Sequence, residues 1–172
     1  MTTLRILLAG LLGACGLVVF TAMPSHACSC VVASTDDYVE WADAIFTGTV
    51  VEVTPPPQRP VMSSGDPVTH TFDVETVHEG DVASTAEVTS AMSGASCGLE
   101  GLRIGTSYLV YAESGHRGLS ANLCGGTGPA SPARVDGVER VLGTGGPPAT
   151  AVPDSVVLAS LADGLGVFRG WW

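Results

Sequence analysis

The sequence predicts a mainly β protein: a small barrel of five short strands with one or two flanking helices, cross-linked by disulfides. Three observations carry that expectation. Five runs of strand length are rich in β-branched and aromatic residues. Gly-rich or polar turns separate them. Once an N-terminal leader is set aside, four cysteines remain, the even number of a small oxidised domain.

The leader comes first. Arg5 is the only charge before residue 27, and Ile6 to Met23 is an almost uninterrupted apolar run. Pro24-Ser25-His26-Ala27 then supplies a helix breaker and small residues at Ser25 and Ala27, so residues 1–27 read as a secretory signal peptide cleaved after Ala27. Two alternatives compete with it. Leu12-Gly13-Ala14-Cys15 resembles a lipoprotein box, but Gly16 to Met23 stays apolar where a lipoprotein turns polar. An uncleaved transmembrane anchor is the other alternative, since the run approaches spanning length.

Cleavage after Ala27 makes Cys28-Ser29-Cys30 the start of the mature chain and leaves a free α-amino group on Cys28. Cys15 departs with the leader, so Cys28, Cys30, Cys97 and Cys124 remain. Zinc ligation by four cysteines usually needs two short pairs, and Cys97 and Cys124 stand alone, which favours disulfides. Cys28 and Cys30 are not expected to bond to each other, so each should reach a distant partner. The composition points to export and localisation outside the cell or in the cell envelope.

A helix is expected after this tripeptide, with Ser34 or Thr35 as cap, Asp36 and Asp37 at its positive end, and Tyr38, Trp41 and Ala42 sharing a face. Five strands follow: Ala44 to Val53, Val68 to Val77, Thr85 to Thr89, Ser107 to Ala112 and Leu119 to Leu123. All pairings are expected to be antiparallel. Thr54 to Pro67 is too proline-rich for a sheet interior and reads as an exposed, semi-rigid loop. Pro132 to Leu142 suits a second helix, weakened by Gly137. The domain is therefore placed at 28–142, with a Gly/Pro linker and apolar tail over 143–172. That tail is too short and too broken to be read as a membrane span; it reads as a weak helix docking on the barrel, the alternative being an interfacial segment anchored by Trp171 and Trp172, which a missing basic face disfavours.

Charge excludes one class of partner. The chain has no lysine; of its 7 basic residues Arg5 leaves with the leader, so six arginines face 17 acidic side chains. Nucleic acid is not an expected ligand. The acidic residues form no calcium-loop pattern, and no cofactor is implied. Abundant Gly, Ala and Arg without Lys suggest a high-GC bacterial genome.

The leader, Cys28-Ser29-Cys30-Val31, a short helix and then Ala42-Asp43-Ala44-Ile45-Phe46-Thr47-Gly48-Thr49-Val50 resemble the start of the tissue inhibitors of metalloproteinases (TIMPs) and the wider netrin-like (NTR) modules. Val77-His78-Glu79-Gly80, Ser96-Cys97-Gly98 and Leu123-Cys124 arrive in the same order as their counterparts. The match covers about a hundred residues, Cys28 to Gly126. It implies an OB-fold, a five-stranded Greek-key barrel that hosts many functions. It also implies the disulfides Cys28–Cys97 and Cys30–Cys124, at separations of 69 and 94 residues.

The function implied by the resemblance is inhibition of a zinc metallopeptidase. A catalytic zinc keeps one open position for water. The α-amino nitrogen and carbonyl oxygen of Cys28 would displace that water as a five-membered chelate, with the amine neutral, which its reference pKa of about 8 permits. Ser29 would enter the specificity pocket. Cys30, Val31, Val32 and the loop Ala95-Ser96-Cys97-Gly98 would complete the contact ridge. The alternative is a non-inhibitory extracellular binding or envelope-structural module on the same scaffold.

The chain departs from the family pattern in three ways. No cysteines correspond to the third N-terminal-domain bridge, the cysteine-rich C-terminal domain is absent, and Val32 stands where many members have proline. The missing bridge is expected to loosen the segment after Cys124. Catalysis is not expected: His70, His78 and His116 form no recognised constellation and read as surface or rim histidines.

Overall fold

The structure, a computed structural model, describes residues 28–150. The leader and the tail beyond residue 150 lie outside them. Helix α1 spans Thr35–Trp41 and is followed by β1 (Ala44–Thr54), β2 (Pro67–Glu79) and β3 (Thr85–Ala91). A 3-10 turn at Gly94–Ser96 leads to β4 (Ser107–Gly115), β5 (Gly118–Ser120), the two-residue β6 (Gly128–Pro129) and α2 (Pro132–Leu142).

The strands run β1-β2-β3-β5-β4, and β4 pairs back onto β1 to close a five-stranded barrel, the OB-fold architecture. One expectation is corrected: the pairings are not all antiparallel. β3 and β5 run parallel, joining Val88 to Leu119 and Thr89 to Ser120. The reason is parity, because a closed ring with an odd number of strands cannot alternate direction all the way round. Register shifts at three places bend β1 so that it pairs with β2 along its length and with β4 over Ala44 to Thr49.

The barrel interior takes one side of each strand. Phe46, Val50, Phe72, Val74, Val88 and Val110 meet there, with Phe46 and Phe72 edge to face at 5.6 Å. A second cluster lies outside the wall, where Ile45, Leu109 and Tyr111 pack under Val138 of α2 and Tyr38 of α1. β4 is thus covered on both faces, which is why Tyr108 to Ala112 is buried without alternation.

Ser34 caps α1 through a capping box with Asp37: Asp37 N donates to Ser34 Oγ at 3.3 Å and Ser34 N donates to Asp37 Oδ2 at 2.7 Å. Ser34 Oγ also donates to Asp37 Oδ2 at 2.6 Å, and this bond, with the one from Ser34 N after it, holds the Asp37 carboxyl below its ordinary pKa. In α2, Pro132 starts the helix and Gly143, at φ 87°, ends it. Gly137 lies where the helices touch, its missing Cβ position 3.4 Å from Thr35 Oγ1, so a glycine costly to the helix serves the packing of two. Beyond α2, Gly146 exchanges two 2.8 Å backbone bonds with Val77 near the end of β2, and Ala149 N donates to Val82 O in the segment that leads into β3.

Two further expectations change. The fifth strand is shorter than Leu119 to Leu123: Leu123 N instead donates to Cys97 O at 2.8 Å, and a turn over 123–126 follows beside the cysteine loop. The segment after Cys124 is also held without a third bridge. Thr127 Oγ1 bonds both main-chain groups of Tyr111, β6 pairs with Tyr108 and Leu109, and Arg134 donates to Gly126 O. Among the described residues no helix is long and apolar enough to cross a membrane.

Candidate functional site

Residues 28–34 form no helix or strand; they cross one end of the barrel tied by two bonds. Cys28 is bonded to Cys97 and Cys30 to Cys124, with Cα separations of 5.3 and 5.1 Å, the pairing implied by the resemblance. Both partners come from loops, Cys97 after the 3-10 turn and Cys124 after β5. The two bonds touch: Cys28 Sγ lies 3.7 Å from Cys124 Sγ. Cys28, Cys97 and Cys124 sulfurs fall within 4.8 Å of one another, but with both bonds formed none is a thiolate for a metal.

The loop carrying Cys97 is built by its own hydrogen bonds. Ser93 O accepts from Ser96 N and Gly98 N, Ser93 Oγ accepts from Ala95 N, and Glu100 Oε2 accepts from Gly94 N at 2.7 Å. Cys97 then adopts the left-handed region at φ 59°. That conformation is uncommon for a side-chain-bearing residue, and Gly98 follows it in a buried, crowded position.

Of the expected ridge, Cys28 meets the cysteine loop through its bond to Cys97, and Cys28, Ala95 and Gly98 line one hollow. Ser29, Cys30 and Ala95 are exposed, Cys28, Ser96 and Cys97 are half-buried, and Val31 and Val32 project with 75% and 104% of their surface free. Two hollows flank the N-terminal segment. One of about 550 Å³ lies between Cys28, Ala95, Gly98, Leu102, Tyr108 and Leu123. The other, about 200 Å³, is lined by Val31, Tyr38, Trp41, Tyr111 and Asn122.

Sequence reasoning missed two contributors to this end of the barrel. Leu123, about half exposed, stands beside Cys28 because its turn is pulled toward Cys97. Ser64 of the proline-rich loop receives Ser93 N on its carbonyl at 3.1 Å and its hydroxyl bonds Ser96 Oγ at 2.7 Å. That loop is largely exposed, as expected, though Pro56 is buried, and it braces the cysteine loop.

The expectation for His70 is corrected as well. It is buried, with Nε2 3.1 Å from Ser90 Oγ, which also receives Leu99 N at 3.2 Å. Ser90 thus links a core histidine to the end of the cysteine loop. His70 Nδ1 and both ring nitrogens of His78 are buried with no hydrogen-bond partner among the described residues. His116 sits exposed in the tight β4–β5 turn.

Burial holds the His70 pKa below its ordinary value. The His78 pKa is also lowered, by burial, with the nearby Glu139 opposing. Below an unfolded-state pKa of about 6.5 the unfolded chain therefore binds a proton that native His70 refuses. Stability from neutral His70 is complete above that pH and is lost as pH falls toward the folded-state value. Denaturant unfolding of the wild type between pH 7.5 and 5.5 should show this decline, with a limiting slope of about 1.4 kcal/mol per pH unit per proton. His70→Asn should show a shallower decline. Equal slopes would contradict the assignment.

Fold and site together define a class: a disulfide-tethered OB barrel that presents its N-terminal segment and a cysteine loop at one end. No protein-family model matches the chain, and no curated protein matches it in sequence.

Proposed function

We propose that the protein is an exported, TIMP-like binding protein of the netrin-module type that inhibits a zinc metallopeptidase. The observation that supports this reading is the placement of Cys28. Its bond to Cys97 fixes its backbone at the barrel rim beside the exposed Ala95 and the projecting Val31 and Val32. Cleavage after Ala27 would turn that fixed backbone into a bidentate amine and carbonyl donor. The zinc belongs to the partner, whose open coordination site the donor pair fills. Ser29, small and exposed, would occupy the specificity pocket. Two disulfides limit the ordering entropy lost on binding. The role is binding, with no catalytic group assigned.

Intact mass of the exported protein should place its first residue at Cys28. One alanine added before Cys28 should weaken inhibition of a responsive metallopeptidase by at least roughly 100-fold, about 3 kcal/mol of binding, while leaving thermal stability unchanged. Equal inhibition by both forms would defeat the chelation mechanism.

A second reading, a non-inhibitory extracellular or envelope module, is favoured by the apolar rim. Val31, Val32 and Leu123 beside two hollows could bind a protein partner with no metal. A mature start other than Cys28, or no inhibition across a metallopeptidase panel, decides for it.

A further inference from the structure

The two disulfides are in contact, and this gives the four cysteines a chemistry that stability alone does not require. Cys28 Sγ and Cys124 Sγ belong to different bonds yet lie 3.7 Å apart, with Cys97 Sγ inside the same 4.8 Å cluster. Cys30, the fourth cysteine and not part of that cluster, is exposed, whereas the other three are half-buried. Cys30 is thus the residue of the four most open to an incoming thiolate, and the sulfur it would release, Cys124 Sγ, lies 3.7 Å from the second disulfide.

We infer that Cys28, Cys30, Cys97 and Cys124 form a single thiol–disulfide exchange site whose substrate class is a dithiol reductant entering at Cys30. The reductant's thiolate attacks Cys30 Sγ, forming a mixed disulfide and breaking Cys30–Cys124, with the electron pair leaving on Cys124 Sγ. The second thiol of the reductant closes onto the first, so the reductant becomes a cyclic disulfide and Cys30 leaves as a thiol. Cys124 thiolate then attacks Cys28 Sγ. The Cys28–Cys124 bond forms, Cys28–Cys97 breaks, and Cys97 departs as a thiolate that takes a proton from water. Two electrons have entered, one disulfide remains, and it has moved.

The consequence is specific to the rim. Cys28 stays tethered throughout, first to Cys97 and then to Cys124, while the Gly94–Ser96 turn and Cys97 lose their covalent link to the N-terminal segment. The exchange should speed up as pH rises toward the ordinary thiol pKa of about 8.5, because the thiolate is the nucleophile. The inference concerns these sulfurs alone and does not depend on a metallopeptidase partner.

The test uses the exported wild-type protein. It is treated with one equivalent of dithiothreitol at pH 8, quenched with acid at intervals, alkylated and mapped by mass spectrometry. The expected result is a singly bonded species with Cys28–Cys124 joined and free thiols on Cys30 and Cys97, reaching a tenth or more of the singly reduced molecules. Finding only Cys28–Cys97 or Cys30–Cys124 at every time point would overturn the inference. Equal accumulation of Cys28–Cys30 would overturn it too, since that bond signals scrambling through unfolded chains. The Cys30→Ser variant supplies a second arm: its single thiol should be shared between Cys124 and Cys97, and confinement to Cys124 would count against the exchange. If that variant does not fold, the wild-type measurement still decides.

Discussion

Replacing Cys28 and Cys97 together by serine is expected to lower the unfolding free energy by about 2 to 5 kcal/mol, and removing both bridges to leave the domain largely unfolded at 37 °C. The bond closes a loop of 69 residues and its neighbour one of 94. Loop-closure entropy alone gives about 4 to 5 kcal/mol for either taken singly. The two loops cover nearly the same chain, however. With Cys28–Cys97 in place, the second bond restrains only the remaining path of roughly 30 residues through Cys97 and Cys124, worth about 3 to 4 kcal/mol. The pair should therefore be less than additive. A double-mutant cycle by denaturant unfolding measures this, and a loss below about 1 kcal/mol for each single bridge would show that barrel packing alone fixes the N-terminal segment. Both outcomes bear on function, since the same bonds set where the Cys28 backbone stands.

The barrel was legible because burial on one side of a strand writes itself as alternation. Val68, Phe72 and Val74 share a register and share the interior. His70 lies on that same register, so its burial was present in the pattern. Its partner Ser90, on the neighbouring strand, was not, because hydrogen bonds across a sheet have no signature in local sequence. The fifth strand misled for the opposite reason: Leu119, Ala121 and Leu123 alternate as a strand would, but Cys97 O captures Leu123 N and ends the ladder early. Four cysteines alone left the pairing open, and resemblance to a known module supplied the choice. The packing of the two disulfides against each other depends on how two separate loops converge, so no reading of spacing could reach it.

Gly98→Ala is expected to cost on the order of 3 kcal/mol or more, a large effect for a single methyl group. A Cβ at Gly98 would fall 1.9 Å from Ala91 O, 2.5 Å from Ala91 C and 3.0 Å from Ser93 O. All three are backbone atoms that no rotamer change can move away. Relief must come from displacing either the end of β3, where Ala91 pairs with Pro67, or the loop itself. The loop is the softer side, yet Leu99 N is bonded to Ser90 Oγ and Cys97 to Cys28, so displacement would pull on the Ser90–His70 contact and on the N-terminal segment. Gly94→Ala, four residues earlier, is the control. The atoms nearest its Cβ would be those of the Glu100 carboxylate, 3.3 Å or more away and at the end of a side chain rather than in the backbone, so its cost should stay under about 1 kcal/mol. Thermal or denaturant unfolding of the two variants separates them. Similar small losses would mean that the cysteine loop tolerates a shifted backbone, and then a fixed loop could not be what positions Cys28.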